Sequence, residues 1–246
     1  MGWLHQLQSE SAVRLARTGL PRRVLRHLIF SHAAGVGTRV LDVGCGCGEL
    51  VCFFDQLGFN AAGLDDSEAE IRAARRTAPH LDFHCSRFDD FLPQVSGNYD
   101  LVIVRTEKPY SDNLFMSEGL RTTANFLSVV RPGGHLVFVV QRDALFGQRR
   151  KSHAADCYAR HLRGFPGIET TTEFSVATSH RSPLQWVFGG GLQPNVVSAT
   201  LHIPVEQRSH EGWLELAEDY ANSKNISCCR ESELAAMQAD SEYRAA

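Results

Sequence analysis

Long apolar runs are missing from this chain. No window approaches the ~18 consecutive apolar residues that a membrane-spanning helix needs. Residues 1–20 mix Gln, Ser, Glu and Arg throughout, so neither a membrane span nor a secretory leader is expected. An excess of charge of either sign is missing too. Lys and Arg number 25 against 28 Asp and Glu, a net charge of −3, which gives no general attraction to nucleic acid or to an anionic membrane. Seven cysteines are present, at 45, 47, 52, 85, 157, 228 and 229, but none are spaced as Cys-x-x-Cys and two of them lie inside a glycine loop. No metal site is therefore expected. The odd count argues for reduced thiols rather than a disulfide framework. Repeats and low-complexity tracts are absent as well. The expectation is a cytoplasmic protein; its oligomeric state stays open.

What is present is ample material for one core. Of the 246 residues 43% are hydrophobic, which suits one α/β domain with additions. A helical stretch opens at Pro21 and runs to about His32, with Val24, Leu25, Leu28 and Ile29 on one face. Arg39–Val43 reads as a buried strand, 44–48 as a turn, and Glu49–Leu57 as a helix stopped by Gly58. Asn60–Leu64 is a second strand. Ser67 is placed to cap a helix that runs to Ala78 and ends before Pro79. Leu81–Cys85 and Tyr99–Val104 are strands three and four. Met116, Leu120, Ala124, Leu127 and Val130 mark an amphipathic helix, broken by Pro132-Gly133-Gly134 ahead of a fifth strand, His135–Val140. Strand–helix alternation through residue 141 predicts a doubly wound, mostly parallel sheet with helices on both faces. Beyond it, Ser152–Leu162 and Glu211–Ala221 read as helices and Ile168–Val176 and Val196–Ile203 as strands, for seven strands in all. The expected organisation is a helical cap over 1–35, a ligand-binding core over 36–141, a completing part over 142–225 and a tail over 226–246.

The chemistry gathers at Val40-Leu-Asp-Val-Gly44-Cys-Gly46-Cys-Gly48-Glu49. A glycine-rich turn between the first strand and a helix brings backbone close to a ligand beyond the strand ends. Packing alone would explain one glycine better than three alternating ones. A dinucleotide site would carry Gly or Ala where Glu49 stands, and a carboxylate there would oppose a pyrophosphate. A sulfonium ligand without phosphates tolerates that acid. The segment VLDVGCGCG, an acid followed by GxGxG, resembles the first motif of the class I, seven-strand S-adenosylmethionine-dependent methyltransferase family. Gly63-Leu-Asp65-Asp66-Ser67, Asn98-Tyr-Asp100-Leu-Val and Arg131-Pro-Gly-Gly-His-Leu-Val137 resemble its later motifs, in order and at family spacing, over residues 36–141.

The resemblance implies a methyltransferase-type Rossmann-like fold. It also implies an S-adenosylmethionine donor that leaves as S-adenosylhomocysteine. Asp42 would orient the methionine part of the donor, and Gly44, Cys45, Gly46 and Gly48 would approach it with backbone. Asp65 would take the ribose hydroxyls, and Asp66 would lie beside the adenine. One departure stands out. Where the family often carries an acid for the adenine amino group, the chain reads Cys85-Ser-Arg87-Phe88-Asp89, and Arg87 cannot accept that hydrogen bond. Phe88 is left to pack on the ring, with Asp89 as a substitute acid. Arg105, closing the fourth strand, is assigned to the donor side.

Methyl transfer from a sulfonium needs alignment and a dry site, and an oxygen or nitrogen acceptor can also need a base. No residue announces itself as that base. Glu107 and Tyr110, after the fourth strand, are the nearest candidates, with a solvated loop as the alternative. His153, His180 and His202 are further ones. The segment Arg105-Thr-Glu107-Lys-Pro109-Tyr110 does not resemble the Asn/Asp-Pro-Pro-aromatic motif of nucleobase and glutamine amino-methylation, so a small-molecule acceptor is expected. Arg22-Arg23-Arg26 and Arg149-Arg150-Lys151 read as solvated basic groups, with contact to an acidic or phosphorylated acceptor as the alternative. Trp186, Phe188 and Gly189–Gly191 form either a lid or a packed hairpin. Rival readings are a non-catalytic module that keeps the donor pocket, aminopropyl transfer on the same fold, and a dinucleotide oxidoreductase, which Glu49 opposes.

Overall fold

Neighbouring residues in the central strands turn to opposite faces of the sheet, and both faces are buried, as they must be where helices cover a parallel sheet on two sides. The computed structural model describes Leu20 and residues 22–32, 35–88, 99–105, 114–140, 154–174, 195–201 and 209–223. In β1 (Arg39–Val43) Val40 joins one core, whereas Leu41 and Val43 join the other. The same split recurs in β4 (Tyr99–Arg105), with Leu101 and Ile103 against Val102 and Val104. In β5 (Val130–Val140) it separates Val137 and Val139 from Leu136 and Phe138.

The first core is closed by α1 (Arg22–His27), α2 (Glu49–Gln56) and α3 (Glu68–Thr77), through Val24, Leu25, Leu50, Val51, Phe54, Ile71 and Ala74. The second is closed by α4 (Ser117–Val129), α5 (Ala154–Leu162) and α6 (His210–Ala221), through Leu120, Phe126, Leu127, Tyr158, Leu162 and Trp213. With β2 (Asn60–Asp65), β3 (Asp82–Cys85), β6 (Ile168–Phe174) and β7 (Asn195–Leu201), the sheet has seven strands in the order β3-β2-β1-β4-β5-β7-β6. Strands β1 to β5 pair in parallel, while β7 runs antiparallel to both β5 and β6. The expected mostly parallel, doubly wound sheet is the one observed.

The chain moves outward from β1 through β2 to β3 and then returns to place β4 on the other side of β1. Strand order therefore reverses between β1 and β4. In such sheets the crevice beyond the carboxyl ends at that point is where ligands bind.

Two boundaries differ from expectation, each for a local reason. The first helix does not continue as α-helix to His32, because Leu28–His32 forms a π turn. The fifth strand starts at Val130 rather than His135. Tyr99 pairs with Val130 and Leu101 with His135, so Arg131–Gly134 loops out of a strand that the Pro-Gly-Gly run had suggested was only a turn. An ion pair between Arg131 and Asp100 holds that loop. A β-carbon on Gly134 would meet Val130 at 2.8 Å and the Asp100 carbonyl at 3.0 Å, so the approach of the two strands requires glycine there. The last two strands are described over Ile168–Phe174 and Asn195–Leu201, and the remainder of the expected spans, 175–176 and 202–203, lies outside the described residues. Residues 1–19, the segment 175–194 with Trp186, Phe188 and Gly189–Gly191, and the tail from 224 lie outside the described residues.

Candidate functional site

Strand β1 ends where the glycine loop begins, and backbone bonds fix the loop to β2. The amides of Gly44 and Cys45 both donate to the Leu64 carbonyl, at 2.8 and 3.1 Å, and the Gly48 amide donates to the Cys45 carbonyl at 3.0 Å. Gly44, Gly46 and Gly48 have φ of 78°, 54° and 81°, the left-handed region that side chains avoid. Gly48 opens α2 without any side-chain cap.

Asp65 closes β2 and ties the loop from the other side. Its Oδ2 accepts from the Gly46 amide at 2.8 Å, and its Oδ1 accepts from the Ser67 amide at 2.9 Å. Ser67 caps α3 as expected, its Oγ accepting from the Glu70 amide at 3.4 Å. Ser67-x-x-Glu70 has the form of a capping box, in which Glu70 would reach back to the Ser67 amide. Asp65 already holds that amide. The Glu70 carboxylate is thereby released to accept from the Cys47 thiol in the glycine loop. That bond is the main cause that pushes the Cys47 thiol up to about 11, so Cys47 is protonated at neutral pH and is not a nucleophile. Burial, with Asp42 and Asp65 nearby, raises the Cys45 thiol as well.

Asp42 lies beneath the loop and is 1% exposed. Its Oδ2 accepts from an Arg105 terminal amine at 2.9 Å. Burial pushes the carboxyl up to about 6, against the pull of Arg105, with Asp65 and Glu49 adding to the rise. Asp42 in turn holds the Arg105 guanidinium charged. Among the described residues Asp42 Oδ1 and Arg105 Nε are both buried and without a hydrogen-bond partner.

Asp42, Gly44, Cys45, Gly46, Gly48, Asp65 and Arg105 are thus brought together at the β1/β4 reversal. Asp66 is exposed beside them, and its carbonyl accepts from the Cys85 thiol at 3.9 Å. Arg87 is exposed at the end of β3. Phe88 is half-buried against the second core, 6.2 Å from the Phe126 ring. Asp89, Glu107, Tyr110, His153, His180, His202 and the 149–151 basic group lie outside the described residues. Two partnerships escaped the sequence reading, Asp42 with Arg105 and Cys47 with Glu70. The first joins residues 63 positions apart, and only the strand order connects them. The second had a signal, the capping-box glutamate Glu70, whose usual partner, the Ser67 amide, donates to Asp65 instead. Among the described residues no group of three or more His, Cys, Asp or Glu could hold a metal ion, and no helix is long and apolar enough to cross a membrane.

A seven-stranded 3-2-1-4-5-7-6 sheet with a glycine loop after β1 and an acid ending β2 defines an open, doubly wound α/β protein. Residues 40–134 match the family model described as Methyltransferase domain. The ubiquinone biosynthesis O-methyltransferase of Aromatoleum aromaticum is 30% identical over 114 residues, 45% of this chain and 47% of that protein. The demethylmenaquinone methyltransferase of Renibacterium salmoninarum is 29% identical over 162 residues, covering 61% and 59%. The chain thus spans about half the length of the curated relatives it matches. Among solved structures, the [4+2]-cyclase SpnF has a TM-score of 0.54 at 20% identity, covering 74% of this chain and 81% of that one. A putative methyltransferase in complex with the Trm112 activator of Haloferax volcanii has a TM-score of 0.53 at 17% identity, covering 72% and 88%. Over residues 40–134 the chain is thus similar to methyltransferase domains.

Proposed function

We propose that the chain binds S-adenosylmethionine over the glycine loop and transfers its methyl group to a small organic acceptor, leaving S-adenosylhomocysteine. The carrying observation is the set Asp42, Asp65 and Glu49 around three glycines in the left-handed region. A pocket ringed by carboxylates suits a cationic ligand without phosphates and opposes a pyrophosphate. The unpartnered, buried Asp42 Oδ1 is an acceptor of the kind that an ammonium group satisfies.

When bound, the donor supplies a sulfonium methyl for in-line displacement. The work left to the chain is alignment and exclusion of water. Asp42 and Arg105 hold the amino-acid end, and the amides and α-carbons of Gly44, Cys45, Gly46 and Gly48 form the floor. The Asp65 carboxylate, with lone pairs beyond the two amides it already accepts, takes the ribose hydroxyls. Asp66, Arg87 and Phe88 border the adenine. Glu107 and Tyr110 follow β4 on the acceptor side and are the candidates for contact with the acceptor. The relatives' names include an O-methyltransferase and a menaquinone enzyme, which supports a small-molecule acceptor, and we place the protein in the cytoplasm. A fold neighbour named as a cyclase keeps a second reading in view, a donor pocket without methyl transfer, since fold does not dictate chemistry.

Calorimetry separates these. S-adenosylhomocysteine should bind and NADH should not. Tight NADH binding with no response to S-adenosylhomocysteine would overturn the donor assignment. Methyl transfer from labelled donor to an added phenolic or quinol acceptor separates an enzyme from a binding module.

A further inference from the structure

The glycine loop occupies one end of the sheet, and the opposite end carries a group of imidazoles that the donor site does not use. His135 opens the paired run of β5 across from Leu101, whereas the loop end of that pairing is Val139 across from Arg105. The His135 ring lies 4.7 Å from that of His32, and His32 meets His27, at the end of α1, with 4.9 Å between ring centroids. His27 and His32 are five positions apart. Along an α-helix five residues turn a side chain about 140° away from its starting direction, so such a pair would diverge. Leu28–His32 is a π turn instead, whose five-residue hydrogen-bond period returns the chain to the same face. The turn brings His27 Nε2 and His32 Nε2 to 3.2 Å. Single π turns in helices are frequent at functional sites.

We propose that His27 Nε2 and His32 Nε2 chelate one divalent cation of the borderline kind, such as zinc, nickel or copper, at this π turn. Such ions bind imidazole nitrogen at about 2.1 Å, so two ligands at about 90–110° on one ion stand about 3.0–3.4 Å apart. The pair already has that separation. Ser31 Oγ lies 3.1 Å from His27 Nδ1. In the chelating tautomer it accepts the Nδ1–H and leaves the lone pair on Nε2, the outer-shell contact that orients a ligating histidine. Burial lowers His32 to about 3, so the ring is neutral at pH 7, the form that ligates. Both rings keep part of their surface in solvent, which gives an ion a way in. Two protein ligands fall short of a closed structural site, and water fills the remaining positions. Hard cations such as magnesium prefer oxygen ligands and should not bind. Both ligands belong to the segment that supplies Val24, Leu25, Leu28 and Ile29 to the first core, so the ion fastens that segment in its packed form. The site stands independently of the donor assignment.

The rival account is a plain hydrogen bond between the two rings, which spans the same distance. Metal uptake separates the two. The full chain is stripped with a chelator and titrated calorimetrically with Ni²⁺ in a buffer that does not bind the ion. Wild type should take up an equivalent that His27→Gln and His32→Gln each weaken by more than about tenfold, while Ser31→Ala, which loses only the outer-shell contact, weakens it by about tenfold or less. The cysteines are common to all these proteins, so ions held by thiols cancel in the comparison. His80→Gln alters an exposed histidine outside the group, paired with Asp55, and should titrate as wild type does. Ni²⁺ should also raise the melting temperature of wild type and not that of His27→Gln, and Mg²⁺ should raise neither. If His32→Gln is too unstable to titrate, the half-buried His27 carries the comparison. Wild type that takes up no more Ni²⁺ than His27→Gln, or a loss in His80→Gln equal to that in His27→Gln, would sink the chelate and leave the hydrogen bond.

Discussion

The Gly46 amide donates to the Asp65 carboxylate at 2.8 Å across nineteen residues of chain. This bond joins the turn after β1 to the end of β2, and with the Ser67 amide on the other oxygen it makes Asp65 a brace as well as a ligand-binding candidate. Asp65→Ala should therefore do two things. It should weaken S-adenosylhomocysteine binding by about 1–3 kcal/mol, the loss usual for charge-assisted hydrogen bonds. It should also lower stability by about 1 kcal/mol, because two amides lose their acceptor. Asp65→Asn offers one acceptor oxygen to two amide donors, so it should recover part of the stability and little of the affinity. Chemical denaturation and calorimetry on the three proteins check both halves. Unchanged binding in Asp65→Ala would remove the residue from the ligand site.

The loop's third glycine is fixed by packing. A β-carbon on Gly48 would stand 2.6 Å from the Phe83 ring and 3.3 Å from Ala74, at a φ of 81°. Gly48→Ala should cost about 2–4 kcal/mol, from overpacking plus left-handed strain. Gly46→Ala serves as the comparison. Its φ is 54° and the nearest atom to its β-carbon is Glu70 Oε2 at 3.9 Å, so only strain of about 1 kcal/mol applies. Melting temperatures rank the two, and equal losses would show that Phe83 yields easily.

Periodicity carried most of this architecture. Val40 and Leu41, Val102 and Ile103, and Val137 and Phe138 alternate between the two cores, and a two-residue period with both phases apolar is what a covered parallel strand writes into sequence. The loop and the acid ending β2 were equally legible, because glycines at left-handed φ and a strand-end carboxylate are local requirements. What could not be read were contacts made by strand order. Nothing near Asp42 in sequence points to Arg105, and nothing near Arg131 shows that Asp100 draws the Arg131–Gly134 loop onto β4. Tyr220 packs where a β-carbon on Gly164 would have to go, which is likewise invisible until α6 is placed beside α5.

Donor binding should depend on pH through Asp42. The carboxyl is pushed up to about 6, first by burial. Only the charged form accepts from the donor's ammonium, so affinity should be level above about pH 7 and fall as pH drops through 6, by up to about tenfold per unit. Asp42→Asn should flatten the profile at a lower affinity. Titrations from pH 5 to 8 at constant ionic strength check this, and an unaltered slope in Asp42→Asn would assign the proton elsewhere.

Acid should loosen the second core through His161. The ring is fully buried between α4 and α5, with Phe115 at 5.5 Å and Phe165 at 5.9 Å between centroids. The Thr123 hydroxyl donates to the Gly119 carbonyl at 2.8 Å. It must therefore accept from His161 Nε2–H at 2.6 Å, which fixes the neutral tautomer and leaves Nδ1 without a proton. That atom has no partner among the described residues, so an added proton would have no acceptor. Burial accordingly drives the histidine down to about 3, against 6.5 for the unfolded chain. The sign follows from proton counting. Between those values the unfolded state binds the proton and the folded state does not. The stabilisation is complete above about pH 6.5 and is lost as pH falls, by up to ~1.4 kcal/mol per unit. Other groups contribute their own slopes, so the measurement is a difference. Stability of wild type and His161→Leu, taken by denaturant unfolding from pH 7.5 to 4.5, should diverge by nearly one proton, with wild type the steeper. Parallel curves would mean that His161 reaches water before it is protonated, and that the packing of α4 on α5 opens more readily than its burial implies.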